Sequence, residues 1–276
     1  MKFTFPALAL VVAAAGVAMT LRAPRNPGEY DVAAFAQLPT LVNGRLKPLD
    51  TVARTSLLTM QGRQRVTAPD GRAVSPEEWL LDMLFVPAVA DKYQSFEIVH
   101  PEVLAMLTLS TAEGAGNKRF SLDQIFKQVA ELDRQAKLAD ATESALRSPF
   151  QRAVVQLRNN VALYQRLQNS LSAAATSDFL EQLQKLETNL ASSAAAATAA
   201  RAGQAHSDPA AKAILELAQS FAVMDSYGYL RPIPPAPGEG ETGWKTAGAA
   251  WTATLASSKP NAVASQYAAL GRAWRL

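Results

Sequence analysis

Arg45 and Lys47 stand two residues apart, directly after an Asn43-Gly44 pair, and Asp50 and Arg54 follow at a spacing of four. Cations on alternate strand positions share one face. A carboxylate and a guanidinium four apart on a helix lie on successive turns and can pair, and an acid at a helix start is favoured by the helix dipole. Such a set offers recognition rather than bond breaking. Two readings of Gly44 to Arg54 stay open. One is a structural ribbon-to-helix corner. The other is a docking surface for a membrane partner or for an anionic group such as a haem propionate, with Gly44, Arg45, Lys47, Asp50 and Arg54 as its candidate residues.

No catalytic constellation stands out elsewhere, and the chain is expected not to be an enzyme. Gly114-Ala115-Gly116 lacks the further glycine and the preceding strand of a phosphate loop. A Gly-x-Ser-x-Gly elbow is absent. The carboxylates Asp123, Glu131 and Asp133 sit among lysines and arginines, as on a solvated helix face. The 276 residues contain no cysteine, which removes disulfides, thiolate catalysis, Cys-ligated metals and covalent haem. With two histidines, His100 and His206, a multi-histidine metal site is excluded, and no metal or cofactor of its own is expected. His100, between Val99 and Pro101, reads either as an axial haem ligand or proton-transfer group, or as a hydrogen-bonded histidine that helps cap the next helix. Trp79, Trp244, Trp251 and Trp274 read as core, or as the lining of an apolar groove.

These residues need elements to hold them. Asn43-Gly44 between apolar residues is a hairpin signal, so a small ribbon is expected over 40–47. Pro48 then suits a first helical turn; Leu49, Val52, Ala53, Leu57 and Met60 recur at helical spacing, and Gly62 stops the run. Pro69-Asp70-Gly71 marks a second turn. Ser75-Pro76-Glu77-Glu78 predicts a helix opened by a capping box, buried because Trp79 to Val86 is almost wholly apolar. A short strand over 95–99, a helix over 101–109, a loop at 114–117 and an edge strand near 119–122 follow.

From about 122 long helices take over. One is expected over 122–139. A second starts at Ser148-Pro149 and carries Val154, Leu157, Val161, Tyr164, Gln168 and Leu171 on one stripe. A third starts near Asp178 with Phe179, Leu183, Leu186 and Leu190. The two stripes, joined by 173–176, predict a long antiparallel helical hairpin. Residues 191–208 are low in complexity, and Asp208-Pro209 opens another helix ending at Tyr227-Gly228. Residues 231–243 hold four prolines and three glycines and read as an extended linker. Two closing helices are expected over 243–257 and 261–274. The fold class is therefore mainly α, in five segments: 1–25 a membrane anchor or signal segment, 26–121 a small α+β portion, 122–230 a helical bundle, 231–243 a Pro/Gly linker and 244–276 the C-terminal helices.

The N-terminal segment rests on Lys2, an uncharged run from Phe3 to Leu21, and then Arg22 and Arg25. As a helix the run would span about 28 Å, close to a bilayer's hydrocarbon thickness. It is either cleaved after Ala18 or kept as a single transmembrane anchor; in both cases the body crosses to the periplasmic side. Lys2, Arg22 and Arg25 also account for the whole +3 net charge, since the remaining residues balance. No basic face is implied, and nucleic acid is not an expected partner.

At the corner the sequence resembles a known family. Leu38-Pro39-Thr40-Leu41-Val42-Asn43-Gly44-Arg45-Leu46-Lys47-Pro48-Leu49-Asp50-Thr51-Val52-Ala53-Arg54 is similar to a signature in the extracytoplasmic region of System II (ResC/CcsA-type) cytochrome c biogenesis proteins. Glu77 to Phe85, Phe96 to Leu104 and Tyr267 to Trp274 resemble later pieces of that region. The resemblance implies a non-enzymatic accessory or scaffold role in haem delivery to apocytochromes c. Its implied partners are an integral membrane haem-handling protein and the apocytochrome itself. The family's polytopic haem-handling domain has no counterpart in these 276 residues, so no haem-binding residue carries over. The competing expectation is a periplasmic helical interaction or chaperone-like protein unrelated to haem, assembling through the 148–190 stripes.

Overall fold

The computed structural model describes residues 30–112, 114, 118–201, 208–240 and 243–275. The expected anchor at 1–25, the Ala18 cleavage point, His206 and residues 115–117 of the loop lie outside the described residues. Among the described residues no helix is long and apolar enough to cross a membrane. The chain is mainly helical, with small two-stranded antiparallel sheets.

Helix α1 (Val32–Gln37) is capped by Asp31, whose carboxylate accepts from the Ala34 amide at 2.8 Å. Strands β1 (Pro39–Val42) and β2 (Arg45–Pro48) pair around Asn43-Gly44. Asn43 and Gly44 have φ of 50° and 73°, the double left-handed turn that the Asn-Gly pair signals. Helix α2 (Leu49–Gln61) follows at once. Pro48 is the last strand residue and caps α2 from outside, rather than occupying its first turn. The Pro69-Asp70-Gly71 turn joins β3 (Val66–Thr67) to β4 (Ala73–Val74).

Helix α3 (Pro76–Phe85) is the centre of the molecule. Ser75 caps it by accepting from the Glu78 amide, while the Glu78 carboxylate goes to Arg72 at 2.7 Å. All seven residues from Trp79 to Phe85 are buried, because α3 is wrapped by α1, α2 and two later helices. A helix apolar all round is stable only in such a place. Next come α4 (Pro87–Ala90), β5 (Phe96–Glu97) and α5 (Pro101–Met106), and β6 (Arg119–Phe120) returns to pair with β5.

The single helix expected over 122–139 is two: α6 (Leu122–Phe126) and α7 (Val129–Asp140). A complete capping box between Ser121 and Gln124 starts α6, and the Asp123 amide ties it to the Asp91 carbonyl. Helix α7 instead lies against α8 (Pro149–Gln168), so the two pieces answer to different neighbours and break at Gln128.

The expected helical hairpin over 148–190 is not the pairing that forms. The stripe Val154, Leu157, Val161, Tyr164 and Gln168 is buried as predicted, but α8 packs principally on α7. Arg158 and Arg147 bind Asp140 across that pair. The connection after α8 is a buried plug, not a surface turn. Ser170 Oγ accepts from the Tyr229 and Leu230 amides, Leu171 is buried, and Ser172 Oγ donates to the Leu84 carbonyl. Helix α9 (Phe179–Thr188) therefore starts elsewhere and packs on the C-terminal helix. The alanine-rich stretch forms α10 (Leu190–Arg201), which lies on α11 (Pro209–Tyr227), itself capped by Asp208. Helices α12 (Ala247–Ser257) and α13 (Ala262–Arg275) close the fold.

The composition-based segments share one core. A continuous apolar cluster includes Phe35, Leu57, Trp79, Phe96, Tyr164, Phe179, Phe221, Trp251 and Tyr267. The Pro/Gly stretch is tied down where it begins, at residues 231–233. Arg231 exchanges both backbone hydrogen bonds with Leu41, Ile233 does so with Lys245, and Leu230 and Ile233 are buried.

Candidate functional site

The hairpin places Arg45 and Lys47 as expected. The register pairs Val42 with Arg45 and Thr40 with Lys47, so both cations leave one face of β2. Arg45 is exposed and Lys47 half-buried. Among the described residues neither has an ion-pair partner. The hairpin is held rigidly on two sides. Its base is closed by the Leu49 amide donating to the Leu38 carbonyl at 3.0 Å, and its β1 edge is closed by Arg231. Leu46, on the opposite face of β2, is 57% exposed.

Asp50 and Arg54 do not join that cationic patch. Arg54 Nε donates to Asp50 at 2.7 Å, as the spacing of four predicts. Its Nη2 donates to Glu77 on α3, and Nη1 reaches Gln64 at 3.4 Å. Arg54 thus bridges α2 to α3 between two carboxylates. Burial pushes the Asp50 carboxyl up, the adjoining Glu77 adds to this, and Arg54 opposes it. Burial acts on Glu77 in the same sense, but hydrogen bonds from Asp50, its own amide and Ser75, with the Arg54 charge, hold it below the ordinary range. The pair therefore divides its roles: Asp50 is the readier to take a proton and Glu77 stays ionised. Of the five candidate residues, Gly44 and Arg45 are exposed and Lys47 is half-buried on the hairpin, while Asp50 and Arg54 belong to the brace between α2 and α3.

His100 occupies the cap position of α5, but its imidazole makes no capping bond; its carbonyl accepts from the Val103 and Leu104 amides instead. The ring packs edge-on to Phe150 at 6.0 Å, with Nδ1 buried and unpaired. The capping role expected for the side chain is thus performed by the backbone. No cluster of three His, Cys, Asp or Glu residues that could hold a metal ion is found among the described residues. The four tryptophans do not line one groove. Trp79 and Trp251 are core, and Trp274 donates to Asp82. Trp244 faces a cleft of about 190 Å³ with Leu38, Pro39, Pro232, Tyr267 and Leu270.

Two carboxylates, buried Asp82 and half-buried Asp91, are not among the candidate residues of the sequence. Asp82 accepts from Tyr93 Oη at 2.6 Å and from Trp274 Nε1 at 2.8 Å. Asp91 accepts from Gln168 Nε2 at 2.6 Å. Burial raises the pKa of both, against the pull of their donors. The available signal for Asp82 was a lone acid inside the apolar run Trp79 to Val86. Both carboxylates join distant segments.

No protein-family model matches the chain, and no curated protein matches its sequence.

Proposed function

We propose that this chain is a non-enzymatic accessory or scaffold component of System II cytochrome c maturation. It docks an integral membrane haem-handling protein through the Gly44–Arg54 corner, with the apocytochrome c as a further partner. Residues 1–25 cross the cytoplasmic membrane once, and the body stands on the periplasmic side. The reading is carried by one observation: the segment that resembles the family signature, Leu38 to Arg54, folds as a continuous hairpin-to-helix corner. That corner is braced from behind by Arg54 and Glu77 and presents Arg45 and Lys47 without ion-pair partners among the described residues. A rigid element with free charge suits recognition better than internal packing.

The test is a haem-peroxidase stain of membrane c-type cytochromes in a strain lacking the chain, beside a complemented strain. Loss of covalent haem, restored by the intact protein and not by the Arg45→Ala/Lys47→Ala double variant, is expected. Normal staining without the chain rejects the maturation role and leaves a helical interaction protein unrelated to haem.

A further inference from the structure

The backbone of β2 is used on one side only. Leu41 donates to the Arg231 carbonyl at 2.9 Å and accepts from the Arg231 amide at 3.2 Å. Both of its polar backbone groups therefore point away from β2. In an antiparallel ladder, pairs alternate between hydrogen-bonded and non-hydrogen-bonded, so Leu41–Leu46 is a non-hydrogen-bonded pair. It follows that the N–H and C=O of Leu46 face the open side of the ribbon. No backbone group among the described residues takes either of them.

Natural proteins protect such an edge with charge and proline. Here Arg45 and Lys47 flank Leu46, and Pro48 ends the strand. Two cations repel a second copy of the same strand, but they attract an acidic one. Arg231, exposed and without an ion-pair partner among the described residues, adds a third positive charge on the Leu46 face.

We propose that the open edge of β2 takes up an extended acidic–apolar–acidic segment of the partner protein as an added strand. This deepens the docking role above and rests on it. The register sets the pattern. The incoming residue opposite Leu46 makes two main-chain hydrogen bonds and lies on the Leu46 face, where an apolar side chain covers the exposed leucine. Its two neighbours fall beside Arg45 and Lys47, where carboxylates fit. The main-chain bonds require a peptide, which separates this occupant from an anionic lipid surface that charge alone would attract.

The experiment uses the full chain in detergent micelles and two labelled peptides, Val-Glu-Val-Glu-Val and its glutamine counterpart, followed by fluorescence anisotropy. The acidic peptide is expected to bind at least about tenfold more tightly than the glutamine one. Arg45→Ala/Lys47→Ala should remove that preference. Leu46→Pro should weaken binding by about tenfold or more, because it deletes the outward N–H while leaving the β1 ladder intact. Leu46→Ala should keep most of the binding. If Leu46→Pro fails to fold by circular dichroism, hydrogen exchange decides: the Leu46 amide of the unaltered chain should slow markedly when acidic peptide saturates it. Equal affinity for both peptides, full binding by folded Leu46→Pro, or an unchanged Leu46 exchange rate overturns strand addition. So does stronger capture by vesicles of anionic phospholipid that ignores Leu46→Pro. Lost cytochrome staining in the deletion strain without peptide binding keeps the maturation role and rejects the edge. Peptide binding with normal staining does the reverse.

Discussion

Trp274 donates its indole N–H to the carboxylate of Asp82 at 2.8 Å, across 192 residues of chain. The same carboxylate takes the Tyr93 hydroxyl, so one acid joins the central helix α3, the loop after α4 and the C-terminal helix α13. Nearby, Arg275 donates to the Phe85 carbonyl, and Arg275 and Arg272 pair with Glu181 and Glu187 on α9. The ring of Tyr30 meets Trp274 edge-on at 5.1 Å, which brings the first described residue to the same place.

Removing that acid orphans two donors. Asp82→Ala should cost about 2–4 kcal/mol in urea unfolding followed by tryptophan fluorescence. Asp82→Asn keeps an acceptor for Trp274 and should cost far less. The two variants separate loss of the hydrogen bonds from loss of the charge.

The same residue makes a pH prediction with a definite sign. Burial raises the Asp82 pKa in the folded state, so above the ordinary aspartate value the folded chain holds its proton longer than the unfolded chain does. Its contribution to stability therefore falls as pH rises from about 3.9 through the raised folded value, and is level above it. Asp82→Asn should gain on the unaltered protein across that window. A stability deficit of the asparagine variant that widens as pH rises contradicts the assignment.

Arg54→Met tests the brace behind the hairpin. The Arg54 side chain is 38% exposed, so solvent screening limits the expected loss at neutral pH to about 1 kcal/mol. Without the guanidinium, Asp50 and Glu77 face each other uncompensated. The Asp50 pKa, already raised by burial, should rise further, so the penalty should shrink on acidification as Asp50 takes a proton. Paired unfolding curves at neutral and acid pH measure both effects.

The 231–243 strap should behave as structure in hydrogen exchange. The amides of Leu41, Arg231, Ile233 and Lys245 are bonded in the two bridges and should be protected, whereas Gly238 and Gly240 should exchange at open-chain rates. Fast exchange throughout would make the stretch an ordinary linker.

Helices α11 and α12 approach so closely that Gly248 admits no side chain: a Cβ would lie against the Phe221 carbonyl and 2.5 Å from the Asp225 amide nitrogen. Gly248→Ala should destabilise by about 2 kcal/mol or more in thermal or urea unfolding. Gly240→Ala, with nothing within 4 Å of its Cβ, should change stability by less than about 0.5 kcal/mol.

Signals confined to a few neighbouring residues were legible in the sequence. Asn43-Gly44 dictated the hairpin turn, Ser75-Pro76 and Ser148-Pro149 opened helices where they should, and the Asp50–Arg54 spacing formed its pair. The stripe on α8 correctly marked a buried face, but an apolar stripe names no partner. Any complementary face satisfies it, and α7 rather than α9 does so because Ser170 to Ala173 dive into the core. The composition of the strap reports stiffness and polarity but not its hydrogen bonds, one pair of which goes to Leu41, some 190 residues earlier.

The sequence by itself determined the mainly helical class, the position of the hairpin and most helix starts, because caps, turns and periodicity act over one or two helical turns. Only the tertiary structure decided which cations stay free. Arg54 is claimed by Glu77 from another helix, while Arg45 and Lys47 meet no carboxylate among the described residues, and that difference depends on long-range packing. The tertiary structure likewise set Asp82 and Asp91 against their donors. Asp82 and Trp274 become neighbours only when α13 closes on α3, and the apolar burial that brings them together carries no sequence signature of who meets whom.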